Sequence, residues 1–308
     1  MPNLTWREAE RLFKYAGPIC HLYSKPLESG FFFENDEERK YALLLMALAA
    51  EYAGVVILAF AIMSNHFHFI IKGEGSTIFF SEFRKKLGKY LSRHGRPGLI
   101  DGVVPGVTAI TSLNQFYDEL AYVIRNPYVV SPDVNLLSYP WSSGYLYFNG
   151  LIHLVPSRKP GGLSYRELRQ ITKSRDVALP EWVRITDGGI NPTCFVDYQL
   201  VENLFRNPRA FLASCFKNVE TQLEVAKRMN EKPALTDDEM FKLFRKHIEN
   251  EYGVKDYKLL SSSQRIEVLK KMKFELGASN GQIARVLHLP QSEVDAIFPL
   301  TAKNQLLL

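Results

Sequence analysis

Residues 55–72 read VVILAFAIMSNHFHFIIK, and this stretch decides the fold of the N-terminal half. Val55–Met63 is a run of apolar and β-branched residues, which predicts a buried strand. Ser64-Asn65 is typical of a tight turn, so His66–Lys72 is predicted to be the hairpin partner of that strand. The sequence Gly73-Glu74-Gly75 then ends the second strand.

The segments on either side alternate between strands and helices. In chain order, the predicted elements are a strand over Pro18–Ser24, a helix over Asn35–Ala53, the hairpin, a helix over Ser76–Arg93, a strand over Val103–Ile110 and a helix from Ser112 to about Asn126, where Pro127 is expected to force its end. This order is the split βαβ pattern of a ferredoxin-like αβ sandwich. We therefore expect an α+β fold with helices on one face of the sheet and the other face open to a single-stranded nucleic acid.

Composition and length narrow the class of protein. The 308 residues suggest about two domains. Contents of 46% hydrophobic and 23% charged residues are ordinary for a soluble globular protein and exclude disorder, collagen and coiled coil. The net charge of +5 permits a nucleic-acid partner without requiring one.

The cysteine content and the hydropathy of the chain indicate the cellular compartment in which the protein is expected. There are three cysteines and no CxxC pair, which argues against a zinc ribbon or a disulfide framework and indicates a reducing cytoplasm. The longest apolar stretches, 41–50 and 55–63, fall well short of the ~20 residues needed to span a bilayer. The N-terminal segment lacks the apolar core of a signal peptide. We expect a cytoplasmic protein that does not enter a membrane.

Beyond Tyr147 the composition changes, because Asn149–Gly162 is rich in Gly, Pro and Ser. We therefore predict a first domain over residues 1–150, a linker and helical region over 151–234, and a helical domain over 235–308.

The sequence Asn65-His66-Phe67-His68-Phe69 is the most distinctive local motif. Alternate residues of a strand project to the same face, so His66 and His68 project together and the phenylalanines project to the other side. Two adjacent imidazoles can bind one metal ion. The alternative is a pair of half-exposed histidines on an amphipathic strand.

Tyr122 and Asn126 form a second candidate pair at the end of the last helix of this half. They are four residues apart and so share one helix face. A tyrosine there could act as a nucleophile, and the amide oxygen could be a third metal ligand. The alternatives are a core tyrosine and an ordinary helix stop before proline. Tyr117 and Tyr128 are competing tyrosines nearby.

Three segments in this order and spacing carry a family resemblance: AFAIMSNHFHFIIKG (59–73), LAYVIRNPYVV (120–130) and SYPWSS (138–143). Over roughly residues 15–148 the chain resembles the single-tyrosine HUH transposases, and within them the REP-associated tyrosine transposases. HUH denotes two histidines separated by a hydrophobic residue. The resemblance implies a ferredoxin-like sheet with a tyrosine-bearing helix, as the order of elements also predicts.

The resemblance also implies a chemistry and a set of roles. His66 and His68 correspond to the metal-binding pair, Asn126 to the third ligand and Tyr122 to the nucleophile. The implied reaction is metal-dependent cleavage and rejoining of single-stranded or hairpin DNA through a 5′-phosphotyrosine intermediate. The family is associated with Mg²⁺ or Mn²⁺, although imidazole is not the ligand that Mg²⁺ prefers. With one tyrosine per chain, a homodimer could cut two ends, but a single chain could also act twice.

The predicted helix over residues 76–93 is strongly basic. Residues 76–96 contain six basic side chains and one acidic one, a net charge of +5 that equals the charge of the whole chain. The candidate DNA-binding residues are Arg84, Lys85, Lys86, Lys89 and Arg93. Lys85, Lys89 and Arg93 are spaced by four and form one stripe, which could follow a phosphate backbone or could be a solvated helix face.

The C-terminal segment 276–298 has a helix-turn-helix pattern. Ser279 is the predicted cap of a short helix, His288-Leu-Pro-Gln the turn, and Ser292 the cap of the next helix. In such a unit Gln291, Ser292 and Glu293 would approach the bases. A plain helical bundle is the alternative.

Three functions are compatible with the sequence. The first is a DNA-nicking and strand-transfer enzyme, and the second is a domesticated descendant that binds or regulates DNA without cleaving it. The third is an RNA-binding protein with an RRM-like sheet, but HFHFIIKG lacks the start of an RNP1 motif. The set of His66, His68, Tyr122 and Asn126 favours the first.

Overall fold

The computed structural model describes residues 4–27, 30–130, 137–216, 219–229, 231–233 and 235–299. Residues 300–308 of the predicted C-terminal domain lie outside this range. No helix in the described ranges combines the length and the apolar character that crossing a bilayer requires.

The N-terminal half contains every strand and helix predicted above, together with one additional helix at its start. In chain order these are α1 (Trp6–Tyr15), β1 (Ile19–Tyr23), α2 (Asp36–Ala53), β2 (Val56–Ile62), β3 (Phe67–Lys72), α3 (Ser76–Arg93), β4 (Gly106–Ile110) and α4 (Leu113–Val130). Local sequence fixes the ends of α2: the Asn35 side chain accepts a hydrogen bond from the Glu38 amide, and Gly54 ends the helix in the left-handed conformation.

The end of α4 differs from the prediction, because the helix continues through Pro127 to Val130. Proline has no N–H to donate to the carbonyl of Val123, which weakens the helix at this point. The missing backbone hydrogen bond lies in the last turn, so the rest of α4 is unaffected. Asn126 therefore lies inside the helix, one turn after Tyr122.

The four strands form one antiparallel sheet in the order β2-β3-β1-β4. The α+β class predicted from the sequence is confirmed. In the register of the sheet, Tyr23 of β1 lies between His68 of β3 and Gly106 of β4. Directly opposed residues share a face, so β1 brings its own side chains to the histidine side of the sheet.

The phenylalanine side of β3 packs against the helices that connect the strands. The rings of Phe67 and Phe69 lie 5.3–5.4 Å from that of Phe83 on α3, and Phe69 also contacts Phe79. All four side chains are fully buried, and burial stabilises each by roughly 1.5–3 kcal/mol. The phenylalanine side of β3 therefore faces α3.

Residues 139–147 cover the outer edge of β2. The amide of Ile62 donates to the carbonyl of Trp141 at 2.8 Å, and the amide of Phe60 donates to the Ser143 hydroxyl at 3.0 Å. An uncovered edge strand would be a site for unwanted pairing with another chain. The SYPWSS segment therefore has a structural role in completing the sheet.

The chain divides into two compact units, one of residues 1–127 and 134–216 and one of 128–133 and 217–308. The first unit is completed by short elements: α5 (Tyr165–Thr172), β5 (Ile185–Thr186), β6 (Gly189–Ile190), α6 (Tyr198–Leu204) and α7 (Pro208–Cys215). β5 and β6 form a small hairpin within a region that the sequence predicts to be mainly helical.

The second unit is helical: α8 (Val219–Met229), α9 (Asp237–Tyr252), α10 (Ser262–Lys270), α11 (Asn280–Leu287) and α12 (Gln291–Ile297). Its core includes Met240, Ile248, Met272, Ile283 and Val294, all almost completely buried. α11 packs against both α9 and α12.

The turn between α11 and α12 lies where the sequence predicts it. The Ser279 side chain caps α11, and His288 ends this helix with a φ of 52°. α12 begins at Gln291 after Pro290, so the prediction that Ser292 caps it is wrong. Proline sets a suitable φ for helix entry, which moves the start ahead of the serine.

Candidate functional site

His66 and His68 meet Asn126 on the side of the sheet opposite Phe67 and Phe69. His66 Nε2 lies 3.0 Å from Asn126 Oδ1, and His68 Nε2 lies 3.1 Å from Asn126 Nδ2. The two imidazole centroids are 5.1 Å apart. The three residues predicted as metal ligands thus come together around one amide group.

One face of α4 supplies the other groups of this site. Glu119, Tyr122 and Asn126 are separated by three and four residues, so they project from the same side of the helix. The Tyr122 ring stands nearly perpendicular to that of His68, with centroids 5.6 Å apart. Tyr122 is 4% exposed, so its ring is packed against the histidine cluster.

The expectation of an open sheet face is wrong for this part of the sheet. His68 is 0% and His66 is 9% exposed. The residues of α4 cover them, as the contacts of Asn126 and Tyr122 with His68 demonstrate. Strand alternation identifies two faces but does not indicate what packs on each one.

His21 and Glu119 are site residues that the sequence analysis missed. His21 Nδ1 lies 2.8 Å from Glu119 Oε2, and His21 Nε2 lies 3.1 Å from His68 Nδ1. Both side chains are fully buried. The spacing of Glu119 from Tyr122 and Asn126 on one helix face was a usable signal for the first. His21 carried no comparable signal, because a lone histidine in a strand is usually structural.

Tyr23 borders the cluster from β1. Its ring centroid lies 5.3 Å from that of His21 and 6.1 Å from that of His68. A Cβ at Gly106 would lie 2.2 Å from the Tyr23 ring. The glycine therefore provides the space in which the tyrosine ring crosses β4.

Burial keeps the histidine pair neutral at physiological pH. It lowers the pKa of His66 from 6.5 to about 4. It also holds the pKa of His68 well below 6.5, with further lowering by His66 and His21. Neutral imidazole has a lone pair on one ring nitrogen, which is the form that binds a metal.

The donor atoms around His66 fit a divalent cation. His66 Nδ1 lies 2.9 Å from Asn65 Oδ1, while Nε2 lies 3.0 Å from Asn126 Oδ1. Neutral imidazole has a single N–H and cannot donate to both oxygens. When Nδ1 donates to Asn65, the Nε2 lone pair faces an oxygen lone pair of Asn126. A cation that accepts both lone pairs satisfies this contact.

The predicted set of metal ligands depends on an amide for its third member. Within the part of the chain that the structure describes, no group of three or more His, Cys, Asp or Glu is arranged to hold a metal ion. Two imidazole nitrogens and one amide oxygen suit Mn²⁺ or Zn²⁺ better than Mg²⁺. The expectation of Mg²⁺ or Mn²⁺ stays a prediction.

Tyr117, the nearest competing tyrosine on α4, lies in a different environment. Its hydroxyl donates to the carbonyl of Leu204, and its ring contacts that of Phe205 in a tilted arrangement with centroids 4.5 Å apart. Burial raises the pKa of Tyr117 to about 12. It is thus a poorer nucleophile than an unperturbed tyrosine. The side chain of Tyr128 lies outside the described residues.

The predicted DNA-binding residues lie on α3, across the sheet from the histidines. Arg84 donates to the Val103 carbonyl at 3.3 Å, and Lys85 and Lys86 pair with Glu82. Lys85, Lys89 and Arg93 are exposed and form the predicted stripe. Because α3 packs on Phe67 and Phe69, the stripe and the histidine pair occupy opposite sides of the same strand.

In the helical unit, the predicted base-contacting residues Gln291, Ser292 and Glu293 are exposed at the start of α12. Asp295 is held within the unit, since its carboxylate accepts from Asn280 at 2.8 Å and from Gln291 at 3.0 Å. These bonds lower the pKa of Asp295, so this acidic side chain fixes the joint between α11 and α12.

Comparison with known proteins gave a distant likeness in structure. No protein-family model matches the chain, and no curated protein matches it. Among solved structures, the chain is similar to a REP-associated tyrosine transposase bound to a REP hairpin. The likeness has 13% sequence identity and a TM-score of 0.36, and it covers 46% of this chain and 83% of the other.

Proposed function

We propose that this protein cleaves and rejoins single-stranded DNA at hairpin or repeat sequences, as a transposase-like enzyme of the HUH tyrosine type. The observation that carries the proposal is the convergence of His66 Nε2 and His68 Nε2 on the amide of Asn126, beside the ring of Tyr122. A ligand group next to a tyrosine is the arrangement that metal-assisted attack on a phosphodiester requires.

The reaction transfers a phosphoryl group without a nucleotide cofactor. The Tyr122 hydroxyl oxygen forms a bond to the phosphorus, the bond to the 3′ oxygen breaks, and a free 3′-OH leaves. The proton of the tyrosine passes to solvent or to that leaving oxygen. The 5′-phosphotyrosine link conserves the bond energy, so a 3′-OH can attack it in the reverse reaction and release the tyrosine.

His66, His68 and Asn126 are the proposed ligands of a divalent cation. An ion held by these residues would neutralise charge on the phosphate oxygens and so favour departure of the 3′ oxygen. Asn65 orients His66 through its Nδ1 contact. The burial of His68 and Tyr122 implies that DNA enters only after the Tyr122 side chain or α4 moves, and this movement is part of the proposal.

Two further structural assignments accompany the proposed cleavage activity. The antiparallel order β2-β3-β1-β4, with α2 and α3 between the strands, supports a ferredoxin-like sandwich. The exposed start of α12 supports a helix-turn-helix that binds duplex DNA, such as the stem of a hairpin. The stripe of Lys85, Lys89 and Arg93 would hold DNA that continues around the sheet from the histidine side.

The direct test is a search for the covalent intermediate. Full-length protein is incubated with labelled single-stranded hairpin DNA and Mn²⁺ and then run on a denaturing gel. We expect a protein–DNA adduct that disappears in Tyr122→Phe and persists in the matched variants Tyr117→Phe and Tyr23→Phe. An adduct that survives in Tyr122→Phe would contradict the nucleophile assignment.

A second candidate function is DNA binding without cleavage. The observation that favours it is the burial of Tyr122 and His68, which closes the site in this structure. This function predicts a salt-dependent shift of hairpin DNA on a native gel and no adduct with any divalent metal. That pair of results would replace the enzymatic proposal.

A further inference from the structure

A continuous chain of polar side chains runs from α4 through β1 to β3. Glu119 Oε2 lies 2.8 Å from His21 Nδ1, His21 Nε2 lies 3.1 Å from His68 Nδ1, and His68 Nε2 lies 3.1 Å from Asn126 Nδ2. Glu119, His21 and His68 are fully buried. The ring nitrogens of His21 and His68 therefore need hydrogen-bond partners within the protein.

With the Asn126 amide oriented as in the structure, only one direction joins a donor to an acceptor at all three contacts. Asn126 Nδ2 is a donor only, so His68 Nε2 accepts and the neutral His68 carries its proton on Nδ1. That proton is donated to His21 Nε2. His21 then carries its own proton on Nδ1 and donates it to the carboxylate of Glu119, which accepts. Each of the three contacts joins one donor to one acceptor.

The position of Glu119 Oε2, 2.8 Å from His21 Nδ1, favours this direction over the reverse. In the reverse arrangement, His68 holds its proton on Nε2 and His21 donates from Nε2. A neutral His21 would then turn a lone pair on Nδ1 toward an oxygen of the Glu119 carboxylate, and two acceptors would face each other.

We propose that Glu119 and His21 are positioning residues that hold His68 with its proton on Nδ1 and its lone pair on Nε2, ready to bind a divalent cation. The inference deepens the proposed function, since it rests on the metal site assigned there to His66, His68 and Asn126. It assigns a role to two buried residues that neither the reaction nor the ligand set otherwise uses.

The physical advantage lies in preparation of the ligand before the metal arrives. A metal-binding histidine generally donates its second ring N–H to a carboxylate or another acceptor, and loss of that partner typically weakens metal binding by about 10–100-fold. Replacing a carboxylate beside histidine by an amide keeps the shape but permits the wrong tautomer. Here Glu119 acts on His68 through His21, so two hydrogen bonds separate Glu119 from His68.

The first experiment reads the tautomer directly in the metal-free protein. Long-range ¹H–¹⁵N correlation spectra of histidine-labelled full-length protein distinguish a protonated ring nitrogen from one with a lone pair. His68 is assigned by the signals missing in His68→Gln. We expect protonation at Nδ1 and a lone pair at Nε2 of His68. A proton on Nε2 of His68 in the wild-type protein would overturn the proposal.

The second experiment measures Mn²⁺ binding by calorimetry and by electron paramagnetic resonance. We expect His21→Phe to weaken Mn²⁺ binding by about 10–100-fold, because it removes the group that accepts the Nδ1 proton of His68. Glu119→Gln should mix the two His68 tautomers and weaken Mn²⁺ binding by about twofold or more, in proportion to the fraction of His68 with its proton on Nε2. The matched control is Glu202→Gln, since Glu202 is also a buried glutamate of this unit but accepts from the Phe148 amide instead. Thermal unfolding verifies that each variant is folded.

Two outcomes separate this inference from the function on which it rests. If Glu119→Gln binds Mn²⁺ as tightly as the wild type, the positioning role is wrong even when DNA is cleaved. If the tautomer and the Mn²⁺ results hold but no DNA adduct forms, the cleavage proposal fails and the metal-positioning role stands. Equal weakening in Glu119→Gln and Glu202→Gln would also overturn the inference, because it would indicate a general loss of stability.

Discussion

The two faces of strand β3 are both buried, but they are built on different principles. On one face Phe67 and Phe69 pack edge-to-face against the phenylalanines of α3. On the other face His68 contacts His21 and Asn126, and His21 contacts Glu119. The first face is buried by apolar side chains. On the second face the buried groups are polar, and without water they must form hydrogen bonds with one another.

The difference lies in how much precision each face needs. Apolar burial is non-directional, so several arrangements of phenylalanine would stabilise the first face. A buried polar atom without a partner costs about 1–3 kcal/mol, so the second face requires particular atoms at particular distances. The phenylalanine face should therefore govern stability, and the histidine face should govern metal binding and pH dependence.

The largest expected effect follows from removing an aromatic ring on the apolar face. Phe69→Ala leaves a cavity among Phe67, Phe79 and Phe83, and we expect a decrease of about 3–5 kcal/mol in the free energy of unfolding. Urea denaturation monitored by circular dichroism measures this decrease. Phe216→Ala is the control, because Phe216 is 60% exposed and its removal should cost far less.

This variant also tests whether the two faces are independent. Under conditions in which Phe69→Ala is folded, it should bind Mn²⁺ as the wild type does. A comparable decrease of metal affinity in Phe69→Ala would mean that packing on the apolar face also positions the histidines, and the contrast between the faces would disappear.

The second effect is a pH dependence that originates on the histidine face. The pKa of His66 is lowered by burial from 6.5 to about 4, so below pH 6.5 the unfolded chain binds a proton that the folded chain does not. Stability is therefore complete above pH 6.5 and falls as the pH approaches 4. In the metal-free protein, we expect His66 alone to lower the free energy of unfolding by about 2 kcal/mol between pH 7 and pH 5. The lowered pKa of His68 acts in the same direction.

Urea denaturation at pH 7, 6 and 5 separates this contribution from that of other groups. Between pH 7 and 5, the free energy of unfolding of His66→Gln should fall by about 2 kcal/mol less than that of the wild type. His153→Gln, at an exposed histidine, should retain the wild-type dependence. If His66→Gln and the wild type lose stability in parallel, His66 does not resist protonation in the folded protein.

The smallest effect on stability is expected from the basic stripe on α3. Replacing Lys85, Lys89 and Arg93 together by glutamine should change the free energy of unfolding by less than about 0.5 kcal/mol, because all three are exposed. If the stripe binds DNA, the slope of log affinity for single-stranded DNA against log salt concentration should decrease in magnitude by about two. Each phosphate that a side-chain cation neutralises contributes roughly 0.7 to this slope. Fluorescence anisotropy over a range of salt concentrations measures this slope.

A matched triple variant tests whether the position of the charge matters. Arg7, Arg11 and Lys14 form a comparable exposed row on α1, and glutamine at these three positions removes the same net charge. An equal change of the salt slope in both triples would show that only net charge is involved and that the stripe has no special role.

The strands β1–β4 and the helices α2 and α3 were predictable because their signals are local, whereas α1 and the β5–β6 hairpin were not predicted. The Asn35 cap, the Gly54 stop and the alternation of Phe and His on β3 each depend on neighbouring residues, and the structure contains all three. The end of α4 was not predictable, because the helix extends through Pro127 against the local preference. Of the site, the sequence indicated the histidine pair and the residues Tyr122 and Asn126, but not Glu119 and His21.

By itself, the sequence determined the order of strands and helices from β1 to α4 and that histidines and phenylalanines occupy opposite sides of β3, since these properties follow from backbone geometry over a few residues. Only the tertiary structure decided that α4 covers the histidines, that His21 and Glu119 complete their hydrogen bonds, and that the basic stripe lies on the other side of the sheet. These contacts join His68 to positions 47 and 58 residues away. Their geometry is set by the packing of whole elements, and no local pattern of residues records how one element packs on another.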